Sequence, residues 1–290
     1  MGENVLLFSF FRNNGEDGMY LATSEDGLKW TALNGDQPLV QPEVGESKLM
    51  RDPSIARGPD GVFHLVWTTS WQGKTIGYAQ SRDLINWSPQ RAIEVMPNEA
   101  GVQNCWAPEV FYDDASGEFV IVWASTISGR FPETAGAGSG ANNHRLYVIR
   151  TRDFETFSGP ELQYDPGFMV IDGAVFKAGE RYAMVAKNET QNPPAKYLFL
   201  TYAATATGPW SPAGPPISGE EWAEGPSPVR IGDAWYIYFD KYRQKRYGAI
   251  RSKDLESWED ISEVVSFPEG VRHGTVFRAQ REIVERLRKP

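Results

Sequence analysis

Short apolar runs alternate with clusters of turn-forming residues along the chain, and this pattern predicts β-strands. The runs Val5–Phe11, Phe63–Trp67 and Ala234–Tyr238 are strand-sized and rich in aromatic and β-branched residues. Turns such as Gly58–Gly61 and Asp113–Gly117 separate neighbouring runs, as they do in hairpins. The pattern therefore predicts an all-β fold of short antiparallel strands.

One motif recurs and identifies a repeat. It has the form Ser/Thr-x-Asp-x-x-x-aromatic, with one looser copy that lacks the aspartate, and its copies end at Trp30, Trp87, Phe157, Trp210 and Trp258. The spacing of about 50 residues corresponds to four strands per unit, as in the blade of a propeller. The motif aspartates recur in most units, so we expect them to form turns rather than a site. They are Asp26, Asp83, Asp153 and Asp254.

A second series of segments predicts the inner strands of five blades: Arg51–Ile55, Trp106–Val110, Val170–Val175, Ala223–Val229 and Arg272–Phe277. The N-terminal unit lacks an inner strand, so Thr275–Arg278 should pair beside Val5–Phe11 and close a five-bladed β-propeller without an open edge. We expect one domain over residues 1–290, with blades at about 5–40 plus 272–279, 50–95, 104–165, 169–217 and 222–266. The tail, residues 280–290, is either a short docked helix or a frayed end.

The propeller topology also predicts where the chemistry would lie. Inner strands surround a central channel, so their N-terminal ends meet at one mouth. Asp52, Trp106, Asp172, Glu224 and His273 stand at corresponding positions near these ends and should converge. Acids in a channel are costly unless they are paired, and two carboxyls flanking a sugar are the minimal apparatus for glycoside cleavage. Glu224 and Asp52 are the candidates for this pair, and Asp172 should raise the pKa of the one that acts as the acid by like-charge repulsion.

Loops between the second and third strands should form the wall of this mouth. The longest, residues 126–144, is rich in glycine and predicts a rim over a pocket. Aromatic side chains there can stack on a sugar face, and the cations are either hydroxyl ligands or solvated charges. His144 makes either a substrate contact or a local hydrogen bond, whereas mid-strand His64 should be packed. The candidate substrate-binding residues are Arg51, Trp71, Trp106, Glu109, Arg130, Phe131, His144, Lys241 and His273.

Composition and charge narrow the class of partner. The 13% aromatic content suits carbohydrate, and the net charge of -9 argues against nucleic acid or an anionic membrane, which need a basic face. The single cysteine, Cys105, excludes an internal disulfide. No apolar run approaches the ~20 residues of a membrane helix. The first residues lack a secretory signal, so the protein is expected to be cytoplasmic or a processed exported chain; its oligomeric state stays open.

The inner-strand motifs resemble those of glycoside hydrolase family 43, five-bladed propeller enzymes of hemicellulose and arabinan breakdown, from about Val5 to Ala279. The resemblance implies that Asp52, in Asp-Pro-Ser-Ile, is the general base, that Asp172 modulates pKa values, and that Glu224, in Glu-Gly-Pro, is the general acid. It further implies inversion of configuration, an aromatic wall at Trp106-Ala-Pro-Glu, and no required cofactor. His273 matches a channel histidine that in many members faces a structural calcium or a water.

Arg51 departs from the family pattern. An Arg-Asp-Pro triplet also occurs in sucrose-cleaving fructosidases of the same superfamily, where it stabilises the transition state. Those enzymes take a nucleophile from an N-terminal Asn-Asp-Pro motif and an acid from Glu-Cys, and neither pattern occurs in this chain. Family 43 therefore fits better, and Arg51 affects the expected substrate rather than the reaction class.

These inferences predict an inverting, exo-acting glycosidase that removes a terminal pentose, α-L-arabinofuranose before others, from plant cell-wall oligosaccharides or polysaccharides. A β-D-xylosidase or an exo-β-galactosidase on the same scaffold is the alternative within the class. A propeller that only binds glycan is an alternative from another class. Phosphorolysis is a third and would need a phosphate cluster at the mouth, formed by Arg51, Arg130, His144 and Arg145.

Overall fold

The computed structural model describes residues 4–288 and arranges them as five antiparallel sheets. The strands in chain order are β1 (Asn4–Phe11), β2 (Tyr20–Ser24), β3 (Thr31–Ala32), β4 (Arg51–Arg57), β5 (Phe63–Thr68), β6 (Thr75–Ser81), β7 (Arg91–Glu94), β8 (Trp106–Asp113), β9 (Glu118–Ser125), β10 (Arg145–Thr151), β11 (Glu161–Tyr164), β12 (Val170–Ala178), β13 (Arg181–Asn188), β14 (Leu198–Ala203), β15 (Glu224–Ile231), β16 (Ala234–Lys241), β17 (Arg246–Ser252), β18 (Glu259–Asp260) and β19 (Arg272–Gln280). Short 3₁₀ turns span Asn34–Asp36 and Pro132–Thr134, and one α-helix, α1, spans Arg281–Leu287.

The sheets form a five-bladed propeller, as the repeat predicts. Their strand orders are β19-β1-β2-β3, β4-β5-β6-β7, β8-β9-β10-β11, β12-β13-β14 and β15-β16-β17-β18. The C-terminal strand closes the ring, with Leu6 opposite Arg278 and Ser9 opposite Thr275. The predicted closure by Thr275–Arg278 is thus confirmed.

The blade of β12, β13 and β14 has three strands where the repeat predicts four. Residues 211–217 still run beside β14, because the amides of Ser211, Gly214 and Ile217 donate to its carbonyls. Prolines at positions 212, 215 and 216 interrupt this segment. Proline has no amide hydrogen, so a continuous ladder cannot form there.

The apolar core lies between blades. Each of five buried clusters combines side chains from adjoining sheets, with Trp67 and Trp123 wholly buried at two of them. The repeat-end Trp30 stacks on Phe267 and meets Tyr238 edge-on, which confirms its packing role. His64 is also packed, as expected: its ring stacks on Phe154, and burial lowers its pKa to about 4.

The motif aspartates form turns, as predicted. In each full copy the aspartate Oδ1 accepts hydrogen bonds from the backbone amides two and three residues later. The tail forms helix α1, which buries Ile283, Val284 and Leu287 against blade 1. Residues 289 and 290 of the predicted tail, and residues 1–3 of the predicted domain, lie outside the described residues. Helix α1 is too short to cross a bilayer, and no other helix in residues 4–288 is long and apolar enough.

Candidate active site

Each inner strand begins with a β-bulge, and this irregularity brings two consecutive residues per blade to the mouth of the channel. In β4 the pairing passes from Arg51 opposite Thr68 to Ser54 opposite Val66, which leaves one extra residue on the inner strand. The inner strands of the other blades show the same shift. In four blades the second of these two residues has a positive φ. These second residues are Asp52 (51°), Ala107 (47°), Asp172 (55°) and Gly225 (61°).

This register corrects the sequence alignment in two blades. Trp106 and Glu224 occupy the position of Arg51, one residue before that of Asp52. The true equivalents of Asp52 there are Ala107 and Gly225. The sequence alone does not separate the two positions of the bulge, because both of them line the cavity in four of the five blades.

Gly225 shows why one of these positions must lack a side chain. A Cβ at Gly225 would lie 2.4 Å from the ring of His273, and its φ of 61° favours glycine. The amide of Gly225 donates to Asp172 Oδ2 at 2.9 Å. Glycine therefore lets this backbone segment pack on His273 and, at the same time, donate a hydrogen bond to Asp172.

The five inner-strand starts surround a cavity of about 500 Å³. All three predicted catalytic carboxyls line it, although they come from three different blades. The lining residues are Arg51, Asp52, Thr68, Trp71, Gln72, Trp106, Ala107, Ser139, Asn142, Ile171, Asp172, Glu189, Glu224, Arg272 and His273.

Asp52 is surrounded by groups that favour its ionised form. Thr68 Oγ1 donates to Oδ2 at 2.8 Å, and His273 Nδ1 lies 3.3 Å from Oδ1. Burial by itself raises the pKa of Asp52, but His273, Arg51 and Thr68 outweigh it and lower the pKa to about 2. Asp52 is thus a carboxylate that can accept a proton.

Asp172 has the opposite character. It is buried, and its pKa rises to about 6, chiefly through desolvation and further through the charges of Glu224 and Asp52, against the opposing effect of His273 and Lys187. The Gly225 amide donates a hydrogen bond to Asp172 Oδ2. Its protonation therefore changes close to neutral pH.

Glu224 is held by two cations. Lys187 Nζ lies 3.0 Å from Oε2, and Arg272 Nη2 lies 3.2 Å from Oε1. Burial alone would raise the pKa of Glu224, but Lys187, Arg272 and His273 lower it below its ordinary value. This result corrects the expectation that Asp172 raises the pKa of Glu224, because the two ion pairs outweigh the like charge.

His273 lies between carboxylates. Nδ1 faces Asp52 at 3.3 Å, and Nε2 lies 3.5 Å from Glu109 Oε1. Burial lowers the pKa of His273, but contacts with Asp52 and Glu109 and the charge of Asp172 raise it well above the usual value. Protonation of an imidazole disfavours its binding to a metal. Among residues 4–288 no group of three or more His, Cys, Asp or Glu side chains is arranged to hold a metal ion, so a channel cation beside His273 stays a prediction.

An aromatic and cationic wall flanks the acids. The Arg51 guanidinium lies between the rings of Phe11 and Trp71, 4.7 and 4.3 Å from their centroids. Asn14 Oδ1 accepts from both Arg51 Nη1 and Trp71 Nε1. Trp106 donates to the Trp71 carbonyl and meets the Trp71 ring edge-on. Trp71 is 46% exposed, so its ring is available to a ligand.

Five predicted substrate-binding residues lie outside the lining of the cavity. Glu109 lies deeper in the channel and accepts hydrogen bonds from Ser54 and Thr275. Arg130 pairs with Glu99, and Phe131 packs under Arg145. His144 is buried behind Trp106 and bonds Asn104, which selects the local hydrogen bond over the substrate contact.

Lys241, the fifth of these residues, is buried and pairs with Glu221 and Asp260. Arg145 is also buried and pairs with Asp165. Of the four residues of the phosphate cluster, only Arg51 lines the cavity. The arrangement that phosphorolysis would need does not assemble at this mouth.

Several groups that contact the acids, directly or through Arg272, are absent from the candidate residues that the sequence indicates. Thr68 ends the second strand β5, and Lys187 and Asp240 are the penultimate residues of β13 and β16. Each lies directly opposite an inner-strand residue at the mouth. Arg272 occupies the same register as Arg51 and Glu224. A polar residue at the end of an otherwise apolar strand was the available signal. Ser139 and Asn142 lie in the loop 126–144 that is predicted to form the rim of the mouth, but no feature of the sequence distinguishes them within that loop.

The fold and the carboxyl-lined cavity together define a propeller of the glycosidase class. A family model for proteins related to glycosyl hydrolase family 43, described as a probable glycosyl hydrolase domain, matches residues 3–285. The chain belongs to this family, and the resemblance seen in the motifs is confirmed.

Individual relatives are distant. An α-L-arabinofuranosidase of Bifidobacterium longum subsp. longum is 24% identical over 243 residues, which cover 74% of this chain but 22% of that protein. The crystal structure of α-L-arabinofuranosidase from Lactobacillus brevis is 20% identical with a TM-score of 0.56, over 73% of this chain and 72% of that one. Xylan β-1,4-xylosidase from Bacillus halodurans is 19% identical with a TM-score of 0.53, over 73% and 41%. These structural likenesses establish the fold.

Proposed function

We propose that the protein is an inverting, exo-acting glycoside hydrolase that removes terminal α-L-arabinofuranose from plant oligosaccharides or polysaccharides. The observation that carries the proposal is that Asp52, Asp172 and Glu224, from three blades, line one cavity of about 500 Å³. Acids so separated in the sequence have no common structural task there. Cleavage of a glycosidic bond needs such a set.

In this proposal Asp52 removes a proton from water as the water oxygen attacks the anomeric carbon. The bond from that carbon to the glycosidic oxygen breaks, and Glu224 gives its proton to the departing oxygen. The low pKa of Asp52, about 2, keeps it in the ionised form that a base needs. After cleavage Asp52 carries a proton and Glu224 has lost one. Solvent then takes the proton from Asp52 and returns one to Glu224.

Asp172 completes the set as a modulating and orienting group. It touches the backbone beside Glu224 through the Gly225 amide at 2.9 Å. Its pKa of about 6 makes its charge sensitive to substrate that displaces water from the cavity. Its role is to position the acid's backbone and to respond to the charge on Glu224.

The exo mode is supported by the walls of the cavity. Trp71 and Trp106 bound one side, and Ser139 and Asn142 of the long loop line another. Such walls suit a chain end better than the interior of a polysaccharide. Arg51 and Arg272 offer donors to sugar hydroxyls.

The glycone is inferred from the relatives named α-L-arabinofuranosidase, of which this chain covers 22% in one case and 72% in the other. β-D-Xylose is the second candidate, supported by the likeness to the Bacillus halodurans xylosidase. An exo-β-galactosidase remains the alternative on the same cavity.

The test is release of 4-nitrophenol from α-L-arabinofuranoside, β-D-xyloside and β-D-galactoside by the wild type and Glu224→Gln. Activity on the arabinofuranoside that falls at least about 100-fold in the variant supports the proposal. Activity on another sugar would change the glycone. Binding of these sugars with no turnover by the wild type would instead favour a glycan-binding propeller.

A further inference from the structure

The ammonium group of Lys187 contacts Glu224 but does not line the cavity. The Lys187 side chain is 2% exposed, and its Nζ lies 3.0 Å from Glu224 Oε2. Lys187 Nζ also lies 4.8 Å from the centroid of the Tyr242 ring, a geometry that stabilises a cation. Lys187 therefore acts on a bound substrate only through Glu224 and its neighbours.

Lys187 belongs to a longer series of ion pairs that we call the charge chain. It consists of Lys196, Glu189, Lys187, Glu224, Arg272 and Asp240. Glu189 lies 2.6 Å from both lysines, and Asp240 lies 2.6 Å from Arg272 Nε. The signs alternate along the chain, so removal of one member leaves its neighbours unbalanced.

We propose that Lys187 is a positioning residue that sets the protonation of Glu224 and, through it, the pH range in which the protein cleaves glycosides. The proposal rests on the proposed function for its catalytic consequence. Its electrostatic part concerns Glu224 alone and can be tested without turnover.

The alternative source of this control is Arg272, the second cation on Glu224. Arg272 lines the cavity and pairs with Asp240, so its substitution would alter substrate contacts as well. Lys187 has no contact with the cavity and is thus the cleaner determinant. Its own pKa is raised well above normal because Glu224, Glu189 and Asp172 outweigh burial, so it stays charged.

Other charged and titratable groups face Glu224 from every neighbouring element. Asp52 lies on β4, Asp172 on β12, Asp240 on β16, Tyr247 on β17, and Arg272 and His273 on β19, while Glu189, Lys196 and Tyr242 lie in the loops after β13 and β16. The two groups that lie within 3.2 Å of the Glu224 carboxyl, Lys187 and Arg272, are both cations. Contact at this range outweighs the more distant anions.

Loss of Lys187 should shift the pH dependence of cleavage in one direction only, toward higher pH. The general acid must carry its proton, so the alkaline limb of kcat/KM reports its ionisation. Lys187 favours the ionised form and shifts that limb to lower pH. Loss of Lys187 removes a cation, leaves Glu189 as a nearby anion, and shifts the limb to higher pH.

The experiment compares kcat/KM against pH for the wild type and Lys187→Met on the aryl glycoside that the wild type cleaves. We expect the alkaline limb to move up by about one pH unit. Lys187→Arg should restore the wild-type limb. Lys196→Met should move it upward by less, because Lys196 contacts Glu189 and not Glu224. Lys253→Met, which removes a cation paired with Asp233 on the opposite face, should not move it. A purely structural role for Lys187 would change stability or kcat without moving the limb.

A second readout needs no substrate. The ¹³Cδ signal of Glu224, assigned by its absence in Glu224→Gln, should titrate at higher pH in Lys187→Met than in the wild type. Titration at the same pH in both proteins would overturn the inference. If Lys187→Met does not fold, an unchanged signal in folded Lys196→Met would overturn it as well. A shifted signal with no turnover on any of the glycosides tested would support the electrostatic part of the inference and contradict the proposed function.

Discussion

Two structural positions recur around this propeller, the turn that carries the motif aspartates and the start of the inner strand, and their residues vary to very different extents. The turn aspartates on the outer part of the blades have the same partners in each full copy, namely the backbone amides two and three residues later. The residue type at the inner-strand start varies among the blades, which carry Arg51, Trp106, Ile171, Glu224 and Arg272. Repetition marks what every blade needs to fold, and divergence at one register marks what a single cavity needs.

The largest effect on activity is expected for substitution of Asp52, which lines the cavity. Asp52→Asn keeps an acceptor for Thr68 but removes the base, so we expect kcat/KM to fall by about 10²- to 10⁴-fold with little change in Tm. Steady-state kinetics and thermal unfolding measure both. Asp83→Asn in a turn is the matched control and should retain activity. Equal losses in the two variants would contradict the contrast.

A smaller effect is expected at Gly225, which carries the two roles of backbone and site. Gly225→Ala places a Cβ 2.4 Å from the His273 ring and should reduce kcat/KM more than about tenfold while costing about 2 kcal/mol of stability. Gly232→Ala has almost the same φ, 62°, but nothing within 4 Å of its Cβ. This control isolates the cost of backbone conformation and should keep its activity.

The aromatic wall should contribute binding rather than chemistry. Trp71→Ala removes an exposed ring beside Arg51, and we expect KM to rise about tenfold, equivalent to about 1.4 kcal/mol, with kcat nearly unchanged. Leu162→Ala, at a similarly exposed residue far from the mouth, is the control. A fall in kcat alone would assign Trp71 to the reacting centre instead.

The smallest effect is predicted for the turns. Asp83→Ala removes hydrogen bonds to the amides of Ile85 and Asn86 and should cost about 1 kcal/mol in urea unfolding without loss of activity. Burial raises the pKa of Asp83, but these hydrogen bonds outweigh it and lower the pKa to about 2. The stabilisation is therefore present above its usual pKa of 3.8 and is lost as the pH falls toward 2. A difference from the wild type that persists unchanged at pH 2 would contradict this origin.

Much of this architecture could be predicted from the sequence, because the turn motif and the inner-strand motif are local. Closure of the ring followed from one missing inner strand, and β19 pairs with β1 as expected. The missing fourth strand at residues 211–217 was not predicted, although its prolines were visible. The repeat led us to expect uniform blades, whereas local backbone chemistry decided this one.

The candidate site could be predicted in part. Asp52, Asp172 and Glu224 reach one cavity because the inner strands converge. The sequence could not show that a bulge brings two positions to the mouth, so the alignment of Trp106 and Glu224 was off by one residue. It also could not show that Lys187, from the second strand, lies 3.0 Å from Glu224, since that contact depends on the pairing of β12 with β13 and its packing on β15.

The central claim is that Glu224 is the acid and Asp52 the base of one glycosidic cleavage. The most direct test compares Glu224→Gln and Asp52→Asn on two arabinofuranosides. One has a 2,4-dinitrophenol leaving group, which departs without a proton. The other has an alkyl alcohol, which needs a proton to depart. We expect Glu224→Gln to lose far less activity on the dinitrophenyl substrate than on the alkyl one, whereas Asp52→Asn should lose equally on both. An equal loss in Glu224→Gln on both substrates would contradict the assignment of the acid.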